Sequence, residues 1–190
     1  PVYSNLKALS FPRQIQAFKN EKLIEPVHVR IKPVNHCNHD CWYCAYRVSN
    51  LELGEDMNTK DFIPKVKMHE IADDLIKMNV KAVTFSGGGE PLIYKPLPEI
   101  IKKLSEGGIK IGTLSNGSNL KGHVADSFAK YATWIRISLD AWNGSSYAKA
   151  RGVAVKEFDK LMTNMQLFVD RNRDCELGVS FILDKNNAST

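Results

Sequence analysis

The sequence has no long hydrophobic run, since no apolar stretch approaches the roughly 18 residues that a membrane-spanning helix needs. Residues 1–5 lack the charged and then apolar pattern that begins a secretory signal peptide. Cysteine is scarce as well, at 4 of 190 residues, whereas disulfide-stabilised secreted scaffolds are rich in it. These absences argue against membrane and secreted proteins, and we expect a cytoplasmic protein with no membrane partner.

The chain also lacks a concentrated basic segment. Lysine and arginine number 26 against 21 acidic residues, a net charge of +5, and Lys102 and Lys103 form the only adjacent basic pair. Nucleic-acid-binding domains gather basic residues into a patch or stripe, so we do not expect nucleic acid as a partner. With 43% hydrophobic and 25% charged residues, the composition is that of an ordinary globular domain with a sizeable core.

Strand patterns alternate with helix patterns along most of the chain. Short β-prone runs predict strands at residues 27–31, 82–85, 109–114, 134–139 and 177–183. Apolar residues at helical spacing predict helices at residues 64–78, 100–107, 124–131 and 156–172. Residues 1–25 contain a further helical pattern and form an N-terminal helical extension in this interpretation. Residues 35–57 show no sustained period and are predicted to be a long loop.

Five strand-loop-helix units, the last without its helix, predict an α/β fold with a mostly parallel sheet, either open or curled into part of a barrel. We assign residues 26–190 to this core domain. Ligands of such folds bind beyond the carboxyl ends of the strands. Because an unprotected sheet edge is prone to pair with other strands, we expect further strands, a partner or a second domain beyond the fifth strand.

Three of the four cysteines directly follow the first predicted strand. Cys37, Cys41 and Cys44 have the spacing C-x3-C-x2-C. Three thiolates on one short loop suit a soft-metal site. In a four-iron cluster, three protein ligands leave one iron open to an external ligand.

Two other chemistries fit parts of this pattern. One is a zinc ion held by the three thiolates together with His36, His39 or Cys175, although structural zinc sites usually have paired ligand spacings. The other is a redox dithiol at Cys41 and Cys44, which leaves the first cysteine without a role. We expect Cys175, at the start of the fifth strand, to be a buried structural side chain.

The C-x3-C-x2-C motif, with the aromatic Tyr43 before its last cysteine, resembles the signature of the radical S-adenosylmethionine (SAM) superfamily. The resemblance implies a partial (β/α)6-type barrel, of which this chain shows five units, with a [4Fe-4S] cluster on Cys37, Cys41 and Cys44. It implies that SAM binds the open iron and is cleaved by one electron to a 5′-deoxyadenosyl radical, which abstracts hydrogen from a substrate. A flavodoxin- or ferredoxin-like electron donor is then a partner.

A glycine-rich turn follows the second predicted strand, at Gly87, Gly88, Gly89 and Glu90. Glycines let backbone groups approach a ligand closely, and Glu90 adds a hydrogen-bond acceptor. Taken alone, the run also fits an ordinary turn before a helix that begins with proline. It resembles the GGE motif of the superfamily, which implies that its main chain and Glu90 bind the ammonium group of SAM.

Polar residues also follow the third and fourth predicted strands. Asn116 stands in a turn that resembles the TNG element of the family near SAM. Ser138 and Asp140 match its S-x-D pair, which implies contact with the ribose or carboxylate of SAM. Arg151, one short helix later, resembles an arginine that pairs with the SAM carboxylate, the alternative being a solvated surface cation. The fifth strand lacks the second glycine and the glutamate of the family's adenine-binding pattern.

The substrate stays open between a ribosomally made peptide and a sugar or other small metabolite. The S-x-D and R-G elements resemble those of the SPASM-bearing peptide maturases, which favours a peptide. A zinc-stabilised binding module without catalysis is the alternative from another functional class. We expect Trp42, Trp134 and Trp142 to be packing residues, with Trp142 on a loop from which it is able to touch substrate.

Overall fold

The computed structural model describes residues 6–46, 57–171 and 174–183, so that part of the predicted loop at 35–57 lies outside the described residues. Its centre is a sheet of five parallel strands, and their spatial order is their order along the chain. The strands are β1 (His28–Ile31), β2 (Ala82–Phe85), β3 (Lys110–Ser115), β4 (Trp134–Ser138) and β5 (Glu176–Ser180). Parallel neighbours require crossover connections, which the helices between the strands provide. The predicted α/β class and parallel sheet are therefore confirmed.

One face of the sheet carries the apolar core. Val29 of β1 pairs with Val83 of β2, which pairs with Ile111 of β3. In β4 the buried residues Ile135 and Ile137 alternate with half-buried ones. Because successive side chains of a strand point to opposite faces, this alternation leaves polar residues on the second face.

The described part of the chain has six α-helices: α1 (Pro12–Lys19), α2 (Lys65–Lys77), α3 (Leu97–Glu106), α4 (Gly122–Tyr131), α5 (Gly144–Arg151) and α6 (Lys156–Val169). Helix α1 buries none of its residues, whereas each of the other five contributes buried residues to the core. Helix α3 shows why they form, since it fully buries Leu97, Ile100, Ile101 and Leu104 along one stripe. It packs against α2, α4 and β3. None of the helices in the described ranges is both long and apolar enough to cross a membrane.

Several element boundaries differ from the sequence prediction by one to three residues, and two of these differences have clear local reasons. Strand β4 ends at Ser138, and Asp140 has a left-handed backbone with a φ of 52°. The alternation of a regular strand, which would place Ser138 and Asp140 on the same side, therefore does not extend to Asp140. Helix α4 begins at Gly122, two residues before its predicted start, because apolar spacing does not mark a polar first turn.

Two capping motifs fix the short helix α5. At its start the Asn143 side chain accepts a hydrogen bond from the Ser146 amide, and the Ser146 hydroxyl accepts one from the Asn143 amide. At its end Gly152 takes a left-handed φ of 63°, which stops the helix directly after Arg151. The helix therefore presents Arg151 at a defined position.

The fifth strand differs from its neighbours in its surroundings. Val179 is 52% exposed and Phe181 is 41% exposed, although both are large apolar residues. The expectation that further strands, a partner or a second domain cover this strand stays a prediction. Cys175, just before the strand, is completely buried, which confirms the expectation of a buried side chain.

Candidate active site

The loops that leave the carboxyl ends of β1 to β4 are hydrogen-bonded to one another. The cysteine loop (residues 36–46) follows β1, and the turn containing Glu90 follows β2. Asn116 comes directly after β3, and Asp140 lies two residues beyond β4. The sequence-predicted residues that contact one another here are Cys37, Cys41, Tyr43, Glu90, Asn116, Ser138, Asp140 and Arg151.

Glycines let the turn after β2 lie directly against the cysteine loop. Gly87 and Gly88 have φ values of 76° and 73°, a region that side chains disfavour. The Gly89 amide donates to the Val34 carbonyl at 3.0 Å, and the Glu90 amide donates to the His36 carbonyl at 2.9 Å. A Cβ atom on Gly89 would lie only 2.0 Å from the His36 oxygen. Any other residue at this position would push the two segments apart.

Glu90 is a buried carboxylate held by neutral donors. Its Oε1 accepts from the Leu92 amide at 2.9 Å and from the Ser115 hydroxyl at 2.6 Å. Its Oε2 accepts from the Asn116 amide at 2.7 Å. Burial raises the pKa of Glu90, although these hydrogen bonds act in the opposite direction. Among the described residues, no lysine, arginine or histidine forms an ion pair with it.

Asn116 connects the end of β3 to the cysteine loop. Its side-chain amide nitrogen donates to Asn38 Oδ1 at 3.0 Å and lies 4.0 Å from the sulfur of Cys37. Its Oδ1 accepts from the amide and the hydroxyl of Ser118 at 2.9 Å and 2.7 Å. The residue is thus fixed at both ends of its side chain, with its donor end beside the first cysteine.

Asp140 is the second buried carboxylate of the site, and it has a cationic partner. Its Oδ2 accepts from the Tyr43 hydroxyl at 2.7 Å and pairs with Arg151 Nη2 at 2.9 Å. Its Oδ1 accepts from the Ile182 amide at 2.8 Å, just beyond β5. Both side chains of the ion pair are almost fully buried, at 4% and 6% exposure, so solvent screens their attraction weakly.

Arg151 also reaches the second cysteine. Its Nη1 donates to the sulfur of Cys41 at 3.3 Å, and its Nη2 donates to the backbone carbonyl of Ser138. Burial opposes its charge, but Cys41, Tyr43 and Asp140 more than compensate and raise the pKa of the guanidinium further above its usual range. The alternative of a solvated surface cation is therefore wrong.

The backbone around Arg151 is attached to the cysteine loop as well. The Asp40 amide donates to the Arg151 carbonyl at 2.9 Å. A Cβ atom on Gly152 would lie 2.4 Å from the Asp40 oxygen, so the close approach depends on glycine. Within the loop, the Cys44 amide donates to the Cys41 carbonyl at 3.0 Å, which tightens the turn that carries the last two cysteines.

His39 is a site residue for which the sequence gave no strong signal. It is 4% exposed and lies edge-on to the buried Tyr147 ring, with centroids 6.0 Å apart. Burial and the nearby charge of Arg151 lower the pKa of His39 to about 4. In the part of the chain that is described, His39 Nδ1 and Arg151 Nε are buried without a hydrogen-bond partner. Such atoms are rare in folded proteins and are common where a site takes up further groups.

A cavity of about 360 Å³ opens beside Tyr43 and Asp140. Trp42, Trp142 and Ile182 line it together with the polar end of α5. Trp42 is 56% exposed, so the expectation that it is a packing residue is wrong, whereas Trp142, 47% exposed, lines the cavity from a loop that was expected to be able to reach substrate. Tryptophans that keep an open face next to a cavity commonly contact ligands.

The three cysteines of the loop supply the donors of the candidate metal centre. All three are free thiols and are partly exposed. Within residues 6–46, 57–171 and 174–183, no three His, Cys, Asp or Glu side chains converge on a single ion position. A four-iron cluster does not require such convergence, because each thiolate binds a different iron. Three sulfur donors on one loop, with a guanidinium beside Cys41, therefore fit an iron–sulfur group.

Comparison with known families decides the class of the protein. Residues 31–187 match the family model of the radical SAM superfamily. This range includes every site residue described above. The chain belongs to the radical SAM superfamily. It is therefore an enzyme domain of a family that uses SAM and an iron–sulfur cluster, as the cysteine and glycine motifs predicted.

Two curated relatives are similar to parts of the chain. An S-adenosylmethionine-dependent nucleotide dehydratase from Lacinutrix mariniflava is 31% identical over 109 residues, which are 55% of this chain and 21% of that protein. A probable GTP 3′,8-cyclase from Methanocaldococcus jannaschii is 30% identical over 122 residues, which are 64% of this chain and 39% of that protein. The chain thus spans well under half the length of these relatives.

Solved structures share the fold. SuiB of Streptococcus suis bound to S-adenosylmethionine has a TM-score of 0.69 at 19% identity, covering 98% of this chain and 43% of SuiB. SuiB bound to its precursor peptide SuiA has a TM-score of 0.66 at 21% identity, covering 100% and 41%. At these identities the likeness shows the fold alone, and it confirms the predicted partial barrel.

Proposed function

We propose that this domain reductively cleaves SAM on a [4Fe-4S] cluster bound by Cys37, Cys41 and Cys44, and that the resulting 5′-deoxyadenosyl radical abstracts hydrogen from a substrate. The observation that carries the proposal is the position of the three free thiols, on a loop that touches Asn116 on one side and Arg151 on the other. The cluster, when bound, supplies the electron for cleavage. The protein residues bind and orient SAM.

Glu90 and the glycines before it are proposed to hold the methionine end of SAM. The Glu90 carboxylate is buried and has no cationic partner among the described residues, so an ammonium group would balance its charge. Gly87, Gly88 and Gly89 have no side chains of their own, which lets a ligand group approach their backbone oxygens closely. We therefore assign this turn to the amino group of SAM.

Tyr43, Ser138 and Asp140 are proposed to hold the ribose and adenine of SAM. The cavity beside Tyr43 and Asp140 has about 360 Å³, within the range of small-ligand pockets. Its mixture of aromatic, carboxylate and hydroxyl groups matches a ring and a sugar. Asn116 would hold the cysteine loop in register with this site through its contact with Asn38.

Arg151 is proposed to contact the carboxylate of SAM while it holds the site together. A guanidinium has five N–H donors, and the contacts with Cys41, Ser138 and Asp140 use three of them. The remaining donors include the buried Nε, which has no partner among the described residues. A carboxylate placed there would gain a charge-assisted hydrogen bond.

We propose a peptide as the substrate and residues 26–190 as the catalytic core, with residues 1–25 as an extension and a flavodoxin- or ferredoxin-like protein as the electron donor. The support for a peptide is the shared fold with SuiB, one structure of which holds the precursor peptide SuiA. The S-x-D and R-G elements at Ser138, Asp140 and Arg151 point the same way. A substrate peptide would have to reach the open side of the cysteine loop.

A small-molecule substrate is the competing proposal. The dehydratase and the cyclase that share about 30% identity with parts of this chain are named for nucleotide substrates. Product analysis separates the two proposals, because a peptide that stimulates SAM cleavage and changes mass supports the first. Stimulation by a nucleoside triphosphate or by a sugar, with no response to peptides, supports the second.

Anaerobic reconstitution with iron and sulfide tests the proposed chemistry. We expect about four irons per chain and, after addition of SAM and a strong reductant, release of 5′-deoxyadenosine. Cys41→Ala should lose the cluster and the product. Cys175→Ala is the matched control, since that thiol is fully buried beside β5, and it should keep both.

The zinc-module alternative makes the opposite prediction for the same preparations. One zinc per chain, no iron and no deoxyadenosine would contradict the proposed function. Loss of the cluster in the Cys175→Ala variant, with the fold intact by circular dichroism, would show that the ligand assignment is wrong.

A further inference from the structure

A second groove lies at the start of the cysteine loop and shares no lining residue with the cavity beside Tyr43 and Asp140. It has a volume of about 760 Å³ and begins at His36, the residue before the first cysteine. Its walls are the segment 59–65 and the turn that follows Glu90. The apolar lining residues are Val34, Phe62, Ile93, Tyr94 and Pro96. No residue proposed to hold SAM lines this groove, so its occupant is a different molecule.

The groove is held open by hydrogen bonds between its walls. The Tyr94 hydroxyl donates to the Ile63 carbonyl at 2.6 Å, and the Ile63 amide donates to the Pro33 carbonyl at 2.9 Å. The Asn35 side chain donates to the Asn58 carbonyl at 3.0 Å. Phe62 nevertheless stays 62% exposed at its rim. A preformed apolar surface with an exposed aromatic residue is typical of a binding groove.

The charged residues in the described lining of the groove are all basic. Lys60, Lys65 and Lys95 line it, and no aspartate or glutamate among the described residues does. Lys65 is paired with Glu99 at 2.8 Å. Among the described residues, the ammonium groups of Lys60 and Lys95 have no hydrogen bond or ion pair. The groove therefore complements a ligand that combines negative charge with apolar groups.

Phe62, on the rim of the groove, has backbone groups that pair with nothing in the described residues. Val34 and Phe62 form an isolated antiparallel bridge. The Asn35 amide donates to the Asp61 carbonyl and the Ile63 amide donates to the Pro33 carbonyl, each at 2.9 Å. In such a pair the N–H and C=O of Phe62 point away from Val34, and within the described residues they have no hydrogen-bond partner. An extended peptide has the main-chain groups with which such backbone groups pair.

We infer that this groove binds an extended segment of the substrate in which acidic and apolar residues alternate, and that it guides the adjoining substrate residues toward the cysteine loop. The inference rests on the proposed peptide substrate. It adds the location of the peptide-binding site and the contacts that hold the peptide there. Lys60 and Lys95 would form ion pairs with the acidic side chains of the peptide. Phe62 and Ile93 would pack against its apolar side chains. The backbone of Phe62 would form hydrogen bonds with the peptide main chain. The hydrogen bond from the Glu90 amide to the His36 carbonyl holds the end of the groove against the active site.

Fluorescence anisotropy with labelled probe peptides tests this inference on the reconstituted protein. The probe is a fluorescein-labelled decapeptide of alternating glutamate and leucine, compared with the same peptide carrying lysine in place of glutamate. We expect the acidic probe to bind at least about tenfold more tightly. N-methylation of alternate residues of the acidic probe should also weaken binding about tenfold, because it removes main-chain donors. This comparison needs no protein variant.

Charge-reversal variants locate the binding site. The double variant Lys60→Glu and Lys95→Glu should bind the acidic probe about tenfold or more weakly than the wild type does. Lys110→Glu combined with Lys156→Glu is the matched control, since both lysines are exposed and line no part of the groove. It changes the net charge equally and should leave the affinity within about twofold. Equal binding by the groove variant and the control, or no preference for the acidic probe, would overturn the inference.

Release of 5′-deoxyadenosine from the same wild-type preparation keeps the two proposals distinguishable. If 5′-deoxyadenosine is released but the groove variant binds the probe as tightly as the wild type does, the groove inference is wrong and the radical chemistry stands. Groove-dependent probe binding without any SAM cleavage means that the chemistry is wrong and the peptide site stands.

Discussion

Glu90 and Asp140 are both buried carboxylates at the carboxyl end of the sheet, but they are balanced in different ways. Glu90, beside β2 and β3, receives only neutral hydrogen bonds from Leu92, Ser115 and Asn116. Asp140, beyond β4, pairs with the guanidinium of Arg151 and accepts from the Tyr43 hydroxyl. The charged form of the first carboxylate has no ion-pair partner among the described residues, whereas the second carboxylate is paired with Arg151.

This difference separates a carboxylate that has no cationic partner in the described residues from one that already has its counter-ion. A buried charge with no counter-ion is costly unless a ligand supplies the opposite charge. Glu90 is therefore suited to a cationic ligand group such as the ammonium of SAM. Asp140 already has its counter-ion, and through Arg151 it joins β4 to the sulfur of Cys41. The cysteine loop is held from both sides by these two regions.

Arg151→Met should have the largest effect on stability, because it leaves the buried Asp140 without its cation. We expect a loss of about 3–5 kcal/mol in the free energy of unfolding, measured by urea titration under anaerobic conditions. The paired variant Arg151→Met with Asp140→Asn should recover a large part of this loss, because neither charge then remains.

A surface ion pair supplies the control for this prediction. Lys103 and Asp73 lie 2.7 Å apart and are 30% and 64% exposed. Lys103→Met should cost only about 0–1 kcal/mol. Equal losses for Arg151→Met and Lys103→Met would show that the Asp140 network is not closed in the way described.

Alanine at the two glycines that contact the cysteine loop should have the next largest effect. Gly89→Ala places a Cβ against the His36 oxygen, and we expect a loss of about 1–3 kcal/mol together with lower iron content on reconstitution. Gly152→Ala places one against the Asp40 oxygen and also strains a φ of 63°, which adds about 1–2 kcal/mol.

Gly178→Ala is the matched control for the two glycine variants, because a Cβ there meets no atom within 4 Å. It should change stability by less than about 1 kcal/mol and leave iron content unchanged. Full iron loading of Gly89→Ala would contradict the close approach of the turn after β2 to the cysteine loop.

The pH dependence of Glu90 should be the smallest of these effects. Because burial raises its pKa above the ordinary 4.5, the folded protein keeps this proton to higher pH than the unfolded chain does. The contribution of Glu90 to stability therefore falls as the pH rises above 4.5. Between pH 5 and pH 8 we expect the stability of the wild type to fall relative to that of Glu90→Gln. Parallel pH profiles from urea unfolding would refute the assignment of an uncompensated charge.

Much of the site was predictable, because its motifs are local. Cys37, Cys41 and Cys44 lie on one loop, and Gly87 to Glu90 lie on one turn, so their spacing along the chain carries the information. The position of these motifs after successive strands placed them at one edge of the sheet. Features formed by segments that are distant in sequence were not predictable. The exposure of Trp42 and Trp142, for example, depends on a cavity that the sequence does not reveal.

The sequence by itself determined the α/β order of elements, the family and the loop that carries the three candidate cysteines, because periodicity and short motifs are properties of neighbouring residues. Only the tertiary structure decided which charges are balanced. Arg151 meets Cys41 across 110 residues of chain, and Glu90 meets the end of the next strand without meeting a cation. Burial and pairing arise from contacts between distant segments, and these contacts set the free energy of a charge in the folded protein.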